Sequence, residues 1–173
     1  VRIFLKECTS LVSAGFDVTL VAPNCKTEKI NGVQIMGVDI PVEGRISRML
    51  NTSKKVFQQA LKVDADIYHF HDPELLRFAL RLKRKRKKVI YDAHEDLPKQ
   101  ILGKFWINKF SRPVIAGLVL QYENYIAAHL TCIITATPAI RDRFKKINPF
   151  CIDINNFPLA DELSNQTEWN EKH

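Results

Sequence analysis

Two segments of the chain set histidines beside carboxylates. His69-Phe70-His71-Asp72 ends one β-rich run, and Asp92-Ala93-His94-Glu95-Asp96 ends another. A neutral imidazole can hydrogen-bond a hydroxyl through one ring nitrogen while a partner on the other nitrogen fixes its tautomer. His94 is the foremost candidate for such chemistry, and Glu95, His71 and Asp72 are candidates for binding hydroxyl groups. Asp72, Glu95 and Asp96 also have a plainer reading, because carboxylates suit helix N-termini. Thr137 and Asn156 follow two further apolar runs and complete the set of candidate binding residues. His69 falls on the same side of its strand as His71, and its plainer reading is a packed histidine. The same residues admit a different chemistry. His69 and His71, joined by His94 and by Asp72 or Asp92, form a pattern that can ligate a metal in a hydrolase, although the further ligands of such an enzyme cannot be placed.

These candidates fall where strands are expected to stop. The opening segment reads as a helix, with Phe4, Cys8, Leu11 and Val12 on one face and Gly15 as its stop. A short strand over 17–22 follows. Asn31-Gly32 between Ile30 and Val33 predicts a tight hairpin, and 45–62 reads as a helix. Strand 66–71 runs into Asp72-Pro73, an N-cap followed by a first-turn proline, and a helix over 73–86. Strand 88–92, an apolar helical region over about 99–129 interrupted near Pro113, strand 131–136, helix 138–146 and strand 151–154 complete the order. Alternating strands and helices predict an α/β fold, a Rossmann-like, doubly wound domain with a mainly parallel sheet over 1–158. In such sheets ligands bind beyond the carboxyl ends of the strands, where the candidate residues lie. Residues 159–173 read as a polar linker or tail. Domains of this kind open with a strand and a Gly-rich loop. This sequence opens with a helix and has no GxGxxG or phosphate-loop motif, so the first strand is expected to be missing and the sheet to carry a gap.

Composition narrows the classes. The 173 residues are 46% apolar and 26% charged, as in ordinary globular protein. The four cysteines, Cys8, Cys25, Cys132 and Cys151, have no CxxC spacing and read as free thiols. The net charge of +7 is carried by one block, Arg81–Lys88, with seven basic residues; the other basic residues balance the 19 acidic ones. A single block without aromatic interleaving argues against nucleic acid as a partner. It fits a solvated helix end or a contact with anionic lipid headgroups. The apolar stretch Ile101–Leu120 fits peripheral membrane docking, or more simply a core helix.

Five segments together carry a family resemblance. Arg2–Glu7 with Leu11–Ala22 (LVSAGFDVTLVA), Asp66–Leu76 (DIYHFHDPELL), Val89–Pro98 (VIYDAHEDLP), Ile133–Thr137 and Ile154–Pro158 (INNFP) stand in the order seen in glycosyltransferase family 4. The sequence resembles the N-terminal, acceptor-side half of these GT-B enzymes. The resemblance implies a cytoplasmic, retaining transferase of the hexosyltransferase type. It would move a sugar from a nucleotide-sugar to a hydroxyl acceptor in cell-surface polysaccharide or lipopolysaccharide assembly. The acceptor would often be lipid-linked, at the inner membrane face. His94 matches the family histidine that faces donor and acceptor in the cleft. The donor would be held mainly by a second domain beyond residue 173, with no cofactor and no essential metal, and this half alone is expected to be inactive. A non-catalytic GT-B-like binding domain stands beside the metal-hydrolase reading as an alternative.

Overall fold

The computed structural model describes residues 3–40 and 45–155. The opening helix is present. A wide π-helical stretch, Ile3–Cys8, continues into α1, Thr9–Ser13, and the chain leaves it through Gly15 at φ 90°. Strand β1 is Thr19–Pro23, β2 is Glu28–Ile30 and β3 is Val33–Val38. Asn31 and Gly32 have φ of 51° and 81°. This is the doubly left-handed turn that matches the twist of a two-residue hairpin. β3 pairs antiparallel with β2 and parallel with β1, giving a three-stranded sheet in the order β1-β3-β2.

After α2, Arg45–Val63, the chain builds a second sheet. Its strands are β4, Ile67–Phe70; β5, Lys88–Ala93; β6, Cys132–Thr135; and β7, Cys151–Asp153. They lie in the order β4-β5-β6-β7, all parallel. The sheet is expected to carry a gap, and the described strands form two sheets, one ending at β1 and the other at β4. The crossovers are α3, Leu76–Arg84, entered through a 3-10 turn at Pro73–Leu75; α4, Leu97–Gly103, with α5, Arg112–Ala127; and α6, Pro138–Lys145.

Alternation decides what each strand residue does. On one face Tyr68, Phe70, Val89, Tyr91, Ala93 and Ile133 are buried against Leu76, Ala79, Leu82, Ile126 and Phe144 of the helices. Phe57 of α2 stacks on Phe78 of α3 with centroids 4.2 Å apart. The opposite face carries His69, Ile90 and Asp92. Helix ends are closed by specific groups. Thr137 Oγ1 accepts from Ile140 N at the start of α6, and Asp96 Oδ1 accepts from Lys99 N at the start of α4. The buried Asn148 donates to the carbonyls of Ala127 and Leu130 just past α5, satisfying acceptors that the helix leaves unpaired.

Several local expectations are corrected. α3 ends at Arg84, and Arg86 turns the chain at φ 60°. Within the basic block, Lys83 donates to Thr131 Oγ1 and Lys87 pairs with Asp64 at 2.9 Å, so the block is only partly a solvated end. Pro113 lies in the first turn of α5 and starts that helix rather than interrupting a longer one. The core-helix reading of Ile101–Leu120 fails as well. Ile101 and Ala116 are buried, but Leu102, Phe105, Trp106, Phe110, Val114 and Leu118 are exposed. All four cysteines are free. Among the described residues, no helix is long and apolar enough to cross a membrane.

Candidate functional site

The parallel register brings the two histidine segments together. His69 lies opposite Ile90 and Phe70 opposite Tyr91, so His71, the next residue, comes level with Asp92. Because side chains alternate, His69, His71, Asp92 and His94 share the face opposite the aromatic core. The N-terminal helical stretch adds Glu7 to this face.

Asp92 is the centre of the group. Its side chain is 4% exposed, and Oδ2 lies 3.1 Å from His71 Nδ1 and 3.2 Å from His94 Nε2. Those two nitrogens are 3.0 Å apart. Glu7 Oε1 is 2.8 Å from His69 Nδ1, and Oε2 is 3.6 Å from His71 Nε2. The rings of His69 and His71 stack with centroids 4.8 Å apart. A continuous chain of contacts therefore runs from Glu7 through His69 and His71 to Asp92 and His94.

The electrostatics follow from that chain. Burial pushes the Asp92 carboxyl up, but the hydrogen bond from His71 and the charges of His94, His71 and His69 outweigh it and leave it below its ordinary value. Glu7 behaves alike: burial raises it, and His69 and His71 bring it below the usual carboxylate range. Both groups are thus held as carboxylates, able to fix imidazole orientation. Two atoms of the cluster, His69 Nε2 and Asp92 Oδ1, are buried without a hydrogen-bond partner.

The candidates named from sequence divide. His71 and His94 join the cluster, and His69, read as a packed histidine, belongs to it through Glu7. Asp72 does not join it. It is exposed and stands at the N-cap position, but its side chain makes no capping hydrogen bond; its carbonyl accepts from Leu75 N instead. Glu95 is exposed and bonded to Gln100, while Asp96 takes the capping role. Thr137 sits past β6 as the cap of α6. Asn156 lies outside the described residues, as does the tail 159–173. Glu7 is not read from the sequence as part of the cluster, and Asp92 is read only as a possible metal ligand. The period-two alternation across neighbouring strands could have found Asp92; no local pattern marks Glu7.

Glu7, His69, His71 and Asp92 can each offer one ligand atom within 4.8 Å of the others, so these four could hold a metal ion. The set differs from the one drawn from sequence, which used His94.

The profile described as Glycosyltransferase Family 4 matches residues 2–152. The chain belongs to glycosyltransferase family 4. No curated protein matches it. Among solved structures it is similar to sucrose-phosphate synthase from Thermosynechococcus elongatus, with a TM-score of 0.60 and 14% identity. That match covers 92% of this chain and 45% of the synthase, so this chain spans less than half the length of the protein it resembles. At this identity the likeness establishes the fold, a Rossmann-like domain of the GT-B kind. The family 4 domain carries the histidine–carboxylate cluster at the carboxyl ends of β4 and β5, where ligands of such sheets bind.

Proposed function

We propose that this chain is the acceptor-side domain of a retaining glycosyltransferase that moves a sugar from a nucleotide-sugar to a hydroxyl of its acceptor. The observation that carries the reading is the buried Asp92 carboxylate holding the imidazoles of His71 and His94. His94 is the more solvent-accessible of the two, with its side chain 27% exposed against 15%. An imidazole oriented by a carboxylate and reaching solvent suits hydrogen bonding to a sugar hydroxyl. Holding the acceptor in reacting geometry is itself a large part of such catalysis. Glu95, Thr137 and Asn156 remain proposed contacts to acceptor or donor.

On this reading the nucleotide-sugar is bound mainly by a second domain, and this chain alone does not turn over. The acceptor is lipid-linked, as in cell-surface polysaccharide or lipopolysaccharide assembly. The basic run Arg81–Lys88 contributes attraction to an anionic membrane. The test is His94→Ala in the full-length protein. Transfer should fall about 100-fold or more with the circular dichroism unchanged; unaltered turnover would take His94 out of the site.

A second reading rests on the four-ligand group Glu7, His69, His71 and Asp92, whose donor set suits zinc. Metal analysis after dialysis separates the two. Stoichiometric zinc, lost in His69→Ala, would favour a metal site; its absence leaves the cluster as a hydrogen-bonded positioning network.

A further inference from the structure

Among the described residues, the most exposed large apolar side chains lie in the hairpin of α4 and α5. Phe105 and Phe110, in the elbow between the helices, are 83% and 88% exposed, and Trp106 is exposed beside them. The elbow is not a frayed loop. Arg112 Nε donates to the Ile107 carbonyl at 2.8 Å, and Arg112 Nη2 donates to the Phe105 carbonyl at 3.1 Å. Phe110 N donates to Asn108 Oδ1. The rings of Phe105 and Trp106 meet edge to face at 5.1 Å, with Lys104 Nζ above the indole. These bonds hold large aromatic side chains out in water, which costs free energy unless something covers them.

The apolar surface continues along α5. Val114, Leu118 and Tyr125 are exposed and recur at spacings that place them on one helix face. Cationic groups flank both ends of this strip. At the elbow, residues 97–122 contain Lys99, Lys104, Lys109 and Arg112 and no carboxylate. At the far end, a shallow groove lined by Leu80, Lys83, Arg84, Tyr125 and His129 joins the strip to the basic run of α3.

We propose that the α4–α5 elbow and the outer face of α5 form a seat for an anionic lipid bilayer. Aromatic rings at headgroup level with lysine and arginine around them fit the boundary between lipid and water. A bilayer supplies both an apolar phase and the negative charge that the strip lacks. Topology adds a consequence. α4 begins right after His94-Glu95-Asp96, at the carboxyl end of β5, and is about 10 Å long, so the elbow lies toward the same end of the sheet as the histidine cluster, although α5 packs on the opposite, aromatic face. Docking through the elbow brings the carboxyl end of the sheet, where the cluster lies, toward the membrane. That consequence rests on the proposed transfer to a lipid-linked acceptor, whereas the docking itself does not.

The experiment is co-sedimentation of the chain with vesicles of phosphatidylglycerol and phosphatidylethanolamine, against vesicles of phosphatidylcholine alone. The variant is Phe105→Ser/Trp106→Ser/Phe110→Ser, whose fold is checked by circular dichroism; these side chains are exposed and their removal leaves the core intact. The chain should sediment with the anionic vesicles only, and the triple variant should bind about tenfold more weakly or less. In a Trp169→Phe background, Trp106 emission should shift to the blue on adding anionic vesicles. Sedimentation that is absent, or undiminished in the triple variant, overturns the seat. So does a dimer that the triple variant converts to monomer, which would make the strip a contact between copies. Transfer to a short soluble acceptor by the full-length protein is measured in parallel. Retained transfer with no vesicle binding overturns the seat alone, and vesicle binding with no transfer overturns the enzymatic reading alone.

Discussion

His71 and His94 stack almost parallel, with planes 5° apart, centroids at 5.3 Å and facing nitrogens 3.0 Å apart. Both of those nitrogens also face one oxygen of Asp92. Two N–H groups cannot point at each other at that distance without repulsion. Both N–H groups can instead aim at the shared carboxylate oxygen, whose two lone pairs accept from the two rings. Asp92 therefore selects between tautomers of two rings at once, and changes to it are read out in both.

The carboxylates should shape stability in acid. Glu7 and Asp92 titrate below their ordinary values of 4.5 and 3.8, because histidine contacts outweigh burial. A lowered folded-state pKa means that the unfolded chain takes up protons first as pH falls. The stabilisation is present above about pH 4.5 and is lost as pH drops through the lowered values. Urea unfolding of wild type across about pH 3 to 5 should show this loss. Glu7→Gln/Asp92→Asn should be less stable at neutral pH and flatter across that window. Equal slopes in the two proteins would contradict the assignment.

Glu7 should act on turnover through the histidines. Glu7→Gln keeps an acceptor for His69 and removes the charge; Glu7→Ala removes both. In the full-length protein, Ala should lower kcat by up to about 100-fold, with KM for the donor nearly unchanged. Gln should recover part of kcat and displace its pH profile. A purely structural role would instead move both variants together with their melting temperature and leave the profile in place.

Much of this arrangement was legible in residue order, because it depends on local chemistry. Asn31-Gly32 makes a turn that few other pairs make, and Asp96 was open to reading as a helix cap, whereas Thr137, read as a binding residue, caps α6. The strand ends followed from alternating apolar runs, and with them His71 and His94. Glu7 was not legible, since its meeting with His69 depends on how the N-terminal helix crosses a strand far along the chain. The role of Ile101–Leu120 was also hidden. Composition records that Phe105 and Leu118 are apolar, but not whether the surface they form is covered. Asp72 fails for a subtler reason: the right residue at the N-cap position leaves its carboxylate in water, and the helix starts with a 3-10 turn bonded through the backbone.

Gly37 should be intolerant of any side chain. A Cβ built there would lie 1.9 Å from the Cys25 carbonyl oxygen, a backbone atom that cannot swing away. Gly37 N also donates to Thr27 Oγ1, which fixes the same loop against β3. Gly37→Ala must push this loop off the strand, at a cost of about 1–3 kcal/mol. The urea midpoint should fall at unchanged slope, while Gly103→Ala, where nothing lies within 4 Å of the built Cβ, should show no such clash penalty.

The pair Glu123–Arg143 separates the cost of a broken ion pair from the worth of an intact one. Glu123 is fully buried in α5, with Arg143 Nη2 of α6 at 2.8 Å and the Tyr91 hydroxyl donating at 3.3 Å. Burial raises the Glu123 carboxyl; Arg143 and Tyr91 only partly offset this. Arg143 also lies over the Phe144 ring at 3.9 Å, so its packing contributes along with its charge. Arg143→Met leaves a buried carboxylate without its cation and should cost about 3–5 kcal/mol at neutral pH. Part of that loss should return as pH is lowered and the carboxyl takes a proton. Glu123→Leu/Arg143→Met removes both charges but leaves the Tyr91 hydroxyl without its acceptor, so it should cost about 1–3 kcal/mol, less than Arg143→Met alone. Additive losses in the double variant would show instead that the pair does not act as a unit.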